Sequence, residues 1–439
     1  MKLKAFIDVS VISVILCMIA VLRADDVTHP RHVHIAYGDE PHKMIVTWST
    51  INYTDSNVNY GLSRDALNMV QGGSSSKFVD GGTAKRSQFI HKVDLVDLKP
   101  NTTYYYRVGS LEAKIWSSVF YFRSMPDGQD WGPSIVAYGD LGSANAQSLP
   151  RLLVDAAQGM YDAVVHVGDF AYDLSKNQGL VGDTFMQQIE PLAATLPYMT
   201  CNGNHENYYN FSNYKARFNM PNDNKRMYYS FNVGPIHFVS MSTEFMYFPN
   251  YGMKQIFDHY EFVKNDLIEA NKPENRAKRP WIVTFGHRPM YCSNSDNDDC
   301  ASYESLVRVG VPLYGIKGFE DLFHEQGVDV ALWAHEHTYE RMWPVYKLEV
   351  RNGSYEKPYT NPGAVTHIVT GTAGCIERHE YFTKNPPPWS AFHSSEYGYT
   401  RMKFANKTHL FVEQVSDDRD GMVIDRFTLV KDSHGPYKK

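Results

Sequence analysis

The chain has 439 residues, of which 43% are hydrophobic and 14% aromatic, enough apolar surface to fill more than one core and to exclude a disordered or fibrous protein. Its formal net charge is −6 and no basic stripe stands out, which argues against nucleic acid as a partner.

At the N-terminus an apolar run from Val9 to Leu22 follows Lys2 and Lys4 and ends in Leu22-Arg23-Ala24, the layout of a cleavable secretory leader spanning 1–24. The run is short for a membrane span, and Asp8 shortens it further. No later window offers about eighteen apolar residues, and the closing His434-Gly435-Pro436-Tyr437-Lys438-Lys439 is no lipid-anchor tail, so no stable membrane span is expected. Cys17 lies in the leader. Cys292 and Cys300 are spaced to close a small loop in an oxidising compartment, while Cys201 and Cys375 are left to pair or to stay as buried thiols. Asn-x-Ser/Thr triplets at Asn52, Asn101, Asn210, Asn352 and Asn406 fit a glycosylated protein that is secreted or lysosomal.

From 25 to 125 the pattern is all β. Strands are expected at Val33 to Tyr37, Met44 to Trp48, His91 to Leu95 and Tyr104 to Val108, with Gly and Asn clusters between them. The segment Leu98 to Val108, with Tyr104-Tyr105-Tyr106, resembles the fibronectin type III sandwich, in which a tyrosine closes a corner. Such a domain serves either docking and adhesion or support of its neighbour, and support is the reading preferred here. A polar joint, Ser124 to Pro133, follows.

Over 131–439 short apolar strands alternate with amphipathic stretches: Ile135 to Tyr138, Leu149 to Gln158, Ala163 to Val167, Pro197 to Cys201, Ile236 to Met241, Trp281 to Phe285 and Val328 to Trp333. Lys254 to Ala270 places Ile256, Phe257, Tyr260, Val263, Leu267 and Ile268 largely on one helical face. This alternation predicts an α/β core, and from 364 to 435 the chain returns to β character with a hairpin turn at Asp420-Gly421.

Five polar signatures each end an apolar run: Gly139-Asp140-Leu141-Gly142, Gly168-Asp169-Phe170-Ala171-Tyr172, Gly203-Asn204-His205-Glu206, Gly286-His287 and His335-Glu336-His337. Ligands of open α/β sheets sit beyond the carboxyl ends of the strands, so these carboxylates, phenol, amide and imidazoles are expected to converge there. Taken singly, Asp140 or Asp169 reads as a turn or cap residue, Tyr172 as a core aromatic and Asn204 as a residue opening a helix. Together they form a donor set for two metal ions, in which one aspartate can bridge. Tyr172 discriminates among metals, because a ferric charge is what ionises a phenol of pKa about 10 at acid pH.

With these residues in order, the chain resembles a purple acid phosphatase of the animal type within the calcineurin-like metallophosphoesterases. The resemblance implies an α/β four-layer sandwich, two packed mixed sheets flanked by helices, preceded by the fibronectin-like domain. It also implies Fe(III) on Asp140, Tyr172 and His337, a bridging Asp169, and a divalent ion (Fe, Zn or Mn) on Asn204, His287 and His335. The implied reaction is hydrolysis of a phosphate monoester by in-line attack of water activated between the ions. His205, next to Asn204, is the candidate to orient phosphate and protonate the leaving oxygen, with Glu206 or Asp173 to orient it in turn.

Two departures from the family pattern stand out. Ala334 replaces a glycine common among relatives. The loop after His287, Cys292-Ser293-Asn294-Ser295-Asp296-Asn297-Asp298-Asp299-Cys300, has no histidine where plant members carry several, and its acidic residues read as a solvated, disulfide-closed loop. Phosphodiester or nucleotide pyrophosphate hydrolysis at the same centre is the nearest rival, and a catalytically silent secreted binding protein is the rival from another class. Zinc peptidase chemistry is set aside because no His-Glu-x-x-His occurs. The sequence leaves the oligomeric state open.

Overall fold

The computed structural model describes residues 27–222 and 226–438. The expected leader and Cys17 lie outside the described residues.

The N-terminal part folds as two antiparallel sheets. One runs in the order Arg31–Tyr37, Met44–Thr50, Ser87–Leu95, Ser74–Val79. The other runs Met69–Gly72, Asn57–Gly61, Thr103–Ser110, Ile115–Trp116, with Phe120–Arg123 also paired to Thr103–Ser110. Val33, Ile35, Val46, Trp48, Val58, Val108 and Phe122 are fully buried in the core. The corner forms as expected, the Lys99 backbone N–H donating to the Tyr104 hydroxyl at 2.9 Å.

The sandwich leans on the C-terminal part through polar contacts made by its strands. Val33 N–H donates to Glu190 at 2.8 Å, the Tyr106 hydroxyl to the Ala194 carbonyl at 2.7 Å, and the Tyr37 hydroxyl to the Asp162 carbonyl at 3.0 Å. Glu190 belongs to the helix Leu180–Ala193, so this helix is shared between the two parts.

Beyond the joint, two mixed sheets pack on each other. The six-stranded sheet runs Tyr198–Cys201, Ala163–Val167, Ser134–Tyr138, Gly398–Phe404, His409–Ser416, Met422–Val430, the first three strands parallel and the rest antiparallel. The seven-stranded sheet runs Tyr229–Val233, Ile236–Ser240, Trp281–Phe285, Val330–Trp333, Thr366–Thr370, Tyr339–Met342, Ser390–Ser394. Contacts between the sheets include Thr400 Oγ1 to Thr370 Oγ1 at 2.8 Å and the ring of Phe404 against Phe238 and Trp281. Parallel strands buried on both faces read as continuous apolar runs, and Ala163–Val167 and Trp281–Phe285 are buried throughout. The hairpin expected at Asp420-Gly421 forms between His409–Ser416 and Met422–Val430, but its loop spans 417–421 rather than two residues, with Asp420 and Gly421 at φ of 53° and 82° and the Gly421 N–H closing on the Ser416 carbonyl at 2.8 Å.

The helix expected over 254–270 forms as Met253–Ala270, but its buried stripe is Ile256, His259, Val263, Leu267 and Ala270. Phe257 and Ile268 are exposed, because each lies one position off the 3–4 spacing set by that stripe. Cys292 and Cys300 form the expected disulfide, with Cα atoms 5.4 Å apart, and Cys201 and Cys375 are separate buried thiols. Asn52, Asn101, Asn352 and Asn406 are exposed and Asn210 is half-buried. No helix among the described residues is long and apolar enough to cross a membrane.

Candidate metal centre

The candidate residues stand on loops at the carboxyl ends of parallel strands from both sheets. Asp140 follows Ser134–Tyr138, Asp169 follows Ala163–Val167 and Asn204 follows Tyr198–Cys201 in the first sheet. His287 follows Trp281–Phe285 and His335 follows Val330–Trp333 in the second. The loops are tied across the edge by the Gly139 N–H to the Thr370 carbonyl at 2.8 Å, Asp140 N–H to the Gly168 carbonyl at 3.2 Å, and Ala334 N–H to the His287 carbonyl at 2.9 Å. Asp140, Asp169, Tyr172 and His335 all have φ between 51° and 72°. Side chains other than glycine adopt that region at a cost of about 1–3 kcal/mol each, so the surrounding structure pays strain at four of the seven candidate positions.

Close packing at the edge explains two glycines. A Cβ on Gly203 would stand 2.1 Å from Asp169 Oδ1, and one on Gly139 would stand 2.3 Å from the Ala334 Cβ. The second contact shows why Ala334 is accommodated: its methyl fills the space that Gly139 leaves open.

The seven residues form two adjoining groups. In one, the Tyr172 hydroxyl lies 3.0 Å from Asp140 Oδ1 and 2.9 Å from His337 Nε2, and His337 Nε2 lies 3.6 Å from Asp140 Oδ1. In the other, His287 Nε2 lies 3.2 Å from Asp169 Oδ2 and 3.0 Å from Asn204 Oδ1, and donor atoms of Asp169, His287 and His335 fall within 4.8 Å of one another. Separations near 3 Å are those of neighbouring donors around an ion bound at about 2.0–2.2 Å.

The chemistry of the donors fits cations. His287 Nδ1 is held by the Val167 carbonyl at 2.9 Å, so Nε2 is the nitrogen aimed at two oxygens. Burial disfavours charge on His287, yet the Asp169 carboxylate raises its pKa to about 9, the response of a site that favours positive charge. Burial likewise works against a charged His337, but its hydrogen bond with Asp140 lifts it far above the usual histidine range. Burial, reinforced by the Asp140 and Asp169 carboxylates, pushes the Tyr172 phenol well above its ordinary value. Only a strong local cation reverses that.

His205 is half-buried beside the groups. Its backbone N–H donates to Asp169 Oδ1 at 2.9 Å, its Nδ1 lies 2.5 Å from Asp173 Oδ1, and its Nε2 lies 3.5 Å from Glu377 and 3.9 Å from Asp169 Oδ2. Burial opposes its charge, but the bonds to Asp173 and Glu377 raise its pKa to about 11. Of the two carboxylates considered for orienting it, Asp173 does so. Glu206 instead accepts the backbone N–H groups of Asp169, Phe170 and Gly203 at 2.8–3.0 Å and shapes the loop.

Three carboxylates at the site escape sequence reasoning. Glu377 meets His205. Glu380 accepts the His337 backbone N–H and lies 3.2 Å from its Nδ1. Asp298 lies 2.7 Å from His335 Nε2. The loop 292–300 is therefore closed by its disulfide as expected but is not simply solvated: Cys292, Ser293, Asn294 and Cys300 are buried, and Asp298 turns inward to the Arg288 guanidinium and the His335 ring nitrogen.

Sequence and fold comparisons identify the relatives of the chain. Residues 30–124 match the purple acid phosphatase N-terminal domain, 133–339 the calcineurin-like phosphoesterases, and 364–426 the iron/zinc purple acid phosphatase-like C-terminal segment. The chain is 52% identical to acid phosphatase type 7 of Danio rerio over 93% of both chains, and 51% identical to acid phosphatase type 7 of Homo sapiens over 92% of both. A solved structure of a purple acid phosphatase from yellow lupin (Lupinus luteus) seeds superposes with a TM-score of 0.76 at 24% identity, covering 92% of this chain and 75% of that one. The chain belongs to the purple acid phosphatase family, phosphatases built on the calcineurin-like phosphoesterase fold, for which the family implies a binuclear metal centre.

Proposed function

We propose that the chain hydrolyses phosphate monoesters at a pair of metal ions, Fe(III) held by Asp140, Tyr172 and His337 and a divalent Fe, Zn or Mn ion held by Asn204, His287 and His335, with Asp169 between them. The observation that carries this reading is the pairing of two donor groups about 3 Å across their members, one containing a phenol, at the shared edge of two sheets. Two such ions, when bound, supply Lewis-acid activation of water and neutralise phosphoryl oxygens.

The chain's own residues do the rest. Asp169 Oδ2 lies 3.2 Å from His287 Nε2 in one group, its charge acts on the Tyr172 phenol of the other, and its Oδ1 is held by the His205 N–H. Both ring nitrogens of His205 face carboxylates, which keeps a proton on each, so the ring can hydrogen-bond a phosphoryl oxygen and pass a proton to the departing alkoxide. Asp173 fixes the ring orientation during that transfer.

The leader-like N-terminus, the exposed Asn-x-Ser/Thr sites and the disulfide support passage through the secretory pathway, to the exterior or the lysosome. The test is metal analysis with a visible spectrum, combined with turnover of p-nitrophenyl phosphate and of its bis ester. About one iron and one further metal per chain, a visible absorbance band and preference for the monoester are expected. Colourless protein with two zinc ions, or preference for the diester, would overturn the reading.

A further inference from the structure

Asp298 sits on the disulfide-closed loop 292–300, and its Oδ2 lies 2.7 Å from His335 Nε2. Arg288 Nη1 is 3.3 Å from the same oxygen and 2.8 Å from the same nitrogen. Arg288 is fixed in turn by Glu244 at 3.1 Å and by the face of Tyr247, 4.3 Å from its ring centre. Next along the chain, Asp299 accepts from the Tyr247 hydroxyl and from the Leu306 N–H at 3.0 Å, and Ser293 is pinned to Glu340 at 2.6 and 2.8 Å. Asp298 is thus presented to His335 by a loop anchored on both sides and cross-linked at its ends.

A histidine has two ring nitrogens, and a metal-binding histidine commonly donates its other N–H to a carboxylate, which fixes the ring and makes the binding nitrogen more basic. Nε2 is engaged by Asp298 and Arg288, so Nδ1 is the nitrogen of His335 left for an ion; with Nδ1 so used, Nε2–H donates to Asp298 and Arg288 donates to the same carboxylate oxygen rather than to Nε2. The geometry points to Asp298 as the positioning residue that orients His335 toward the divalent ion, with the loop 292–300 as the support that delivers it. This rests on the two-ion reading given above.

Toward the Asp140, Tyr172 and His337 group the loop meets only neighbours of His337, Asn294 Nδ2 donating to Thr338 Oγ1 at 3.2 Å and Cys300 Sγ lying 3.0 Å from Glu336, so Asp298 itself acts on one half of the centre. The role is tested with full-length Asp298→Asn and Asp298→Ala, loaded with iron and titrated with Zn(II) against a competing chelator, alongside the Cys292→Ser/Cys300→Ser double variant. Zn(II) affinity is expected to fall about 10–100-fold in the two Asp298 variants, with the visible band and the iron content unchanged. The cysteine double variant is expected to fall in the same direction by a smaller factor, because Ser293 and Asp299 still anchor the loop. Unchanged Zn(II) affinity in both Asp298 variants overturns the proposal, as does equal loss of both metals, which marks a merely structural role. Wild-type protein that binds no second ion overturns the two-ion reading instead.

Discussion

The Tyr172 hydroxyl stands 3.0 Å from Asp140 Oδ1, both side chains buried at the junction of two sheets. A phenol beside carboxylates in such a place resists ionisation, so a ferric ion that captures it should leave a charge-transfer signature. Tyr172→Phe is expected to fold, to lose the visible band and to hold iron less tightly. The visible spectrum and the iron content check this, and a band that survives the substitution contradicts the assignment.

His205 meets the proposed ligands through its backbone N–H to Asp169, the distant edge of its ring, and the packing of that ring against Tyr172 with centroids 4.4 Å apart. His205→Ala is expected to cut turnover by about 10²–10⁴-fold while both metals stay bound. Steady-state kinetics with metal analysis on the same preparation decide it; loss of metal would place His205 among the direct supports of the centre.

Gly203→Ala tests the tightness of the loops. The new methyl would meet Asp169 Oδ1 at 2.1 Å and the Asp169 backbone nitrogen at 2.6 Å, and backbone cannot yield as a flexible side-chain tip can. Overpacking of this kind costs about 1–3 kcal/mol, and here the displaced group is the proposed bridge. Reduced retention of both metals and a lowered melting temperature are expected; a fully loaded variant with unchanged stability would refute the crowding argument.

Acid stability depends on buried histidines outside the proposed donor set. His259 is buried among Tyr228, Phe245 and Phe319, and burial depresses its pKa from 6.5 to about 3. His367, whose Nδ1 accepts from the Trp333 indole at 3.0 Å, is depressed by burial to about 3 as well. The unfolded chain takes up protons at these sites near pH 6.5, whereas the folded chain does so only near pH 3. Their contribution to stability is therefore intact above pH 6.5 and is lost as pH falls toward 3, by about 1.4 kcal/mol per pH unit for each histidine well inside that window. Thermal unfolding between pH 7 and pH 4 should show a falling midpoint, and His259→Phe should show a shallower fall. Parallel curves for the two proteins would refute this account.

Much of this architecture is legible in the sequence because its information is local. A buried parallel strand is an apolar run, and the residue two places beyond it lies at the sheet edge, as Asp140, Asp169, His287 and His335 do. The strands Ser74–Val79 and Met69–Gly72 are not legible, since half-exposed strands carry too little apolar alternation to be told from a loop. Asp298 and Glu380 are missed for another reason. Their partners lie 37 and 43 residues away, and nothing in a run of acidic residues says which one turns inward. The stripe of the 253–270 helix is misplaced by one position at Phe257 and Ile268 because an amphipathic pattern fixes a face only to within the width of one side chain.

The shared helix Leu180–Ala193 gives the N-terminal sandwich a reach that its distance from the chemistry conceals. The segment between Tyr172 and that helix contains Asp173, which grips His205, and Gln178, which receives the Ala84 N–H from the sandwich at 2.9 Å. Asp80 clasps Asn213 at 2.9 Å, and Arg86 forms an ion pair with Asp183 at the start of the helix. The sandwich is in effect a buttress for the proposed proton donor, and an enzyme trimmed to its two central sheets is expected to keep the proposed ions yet let His205 wander, exchanging amide hydrogens across 173–183 faster than the intact chain does.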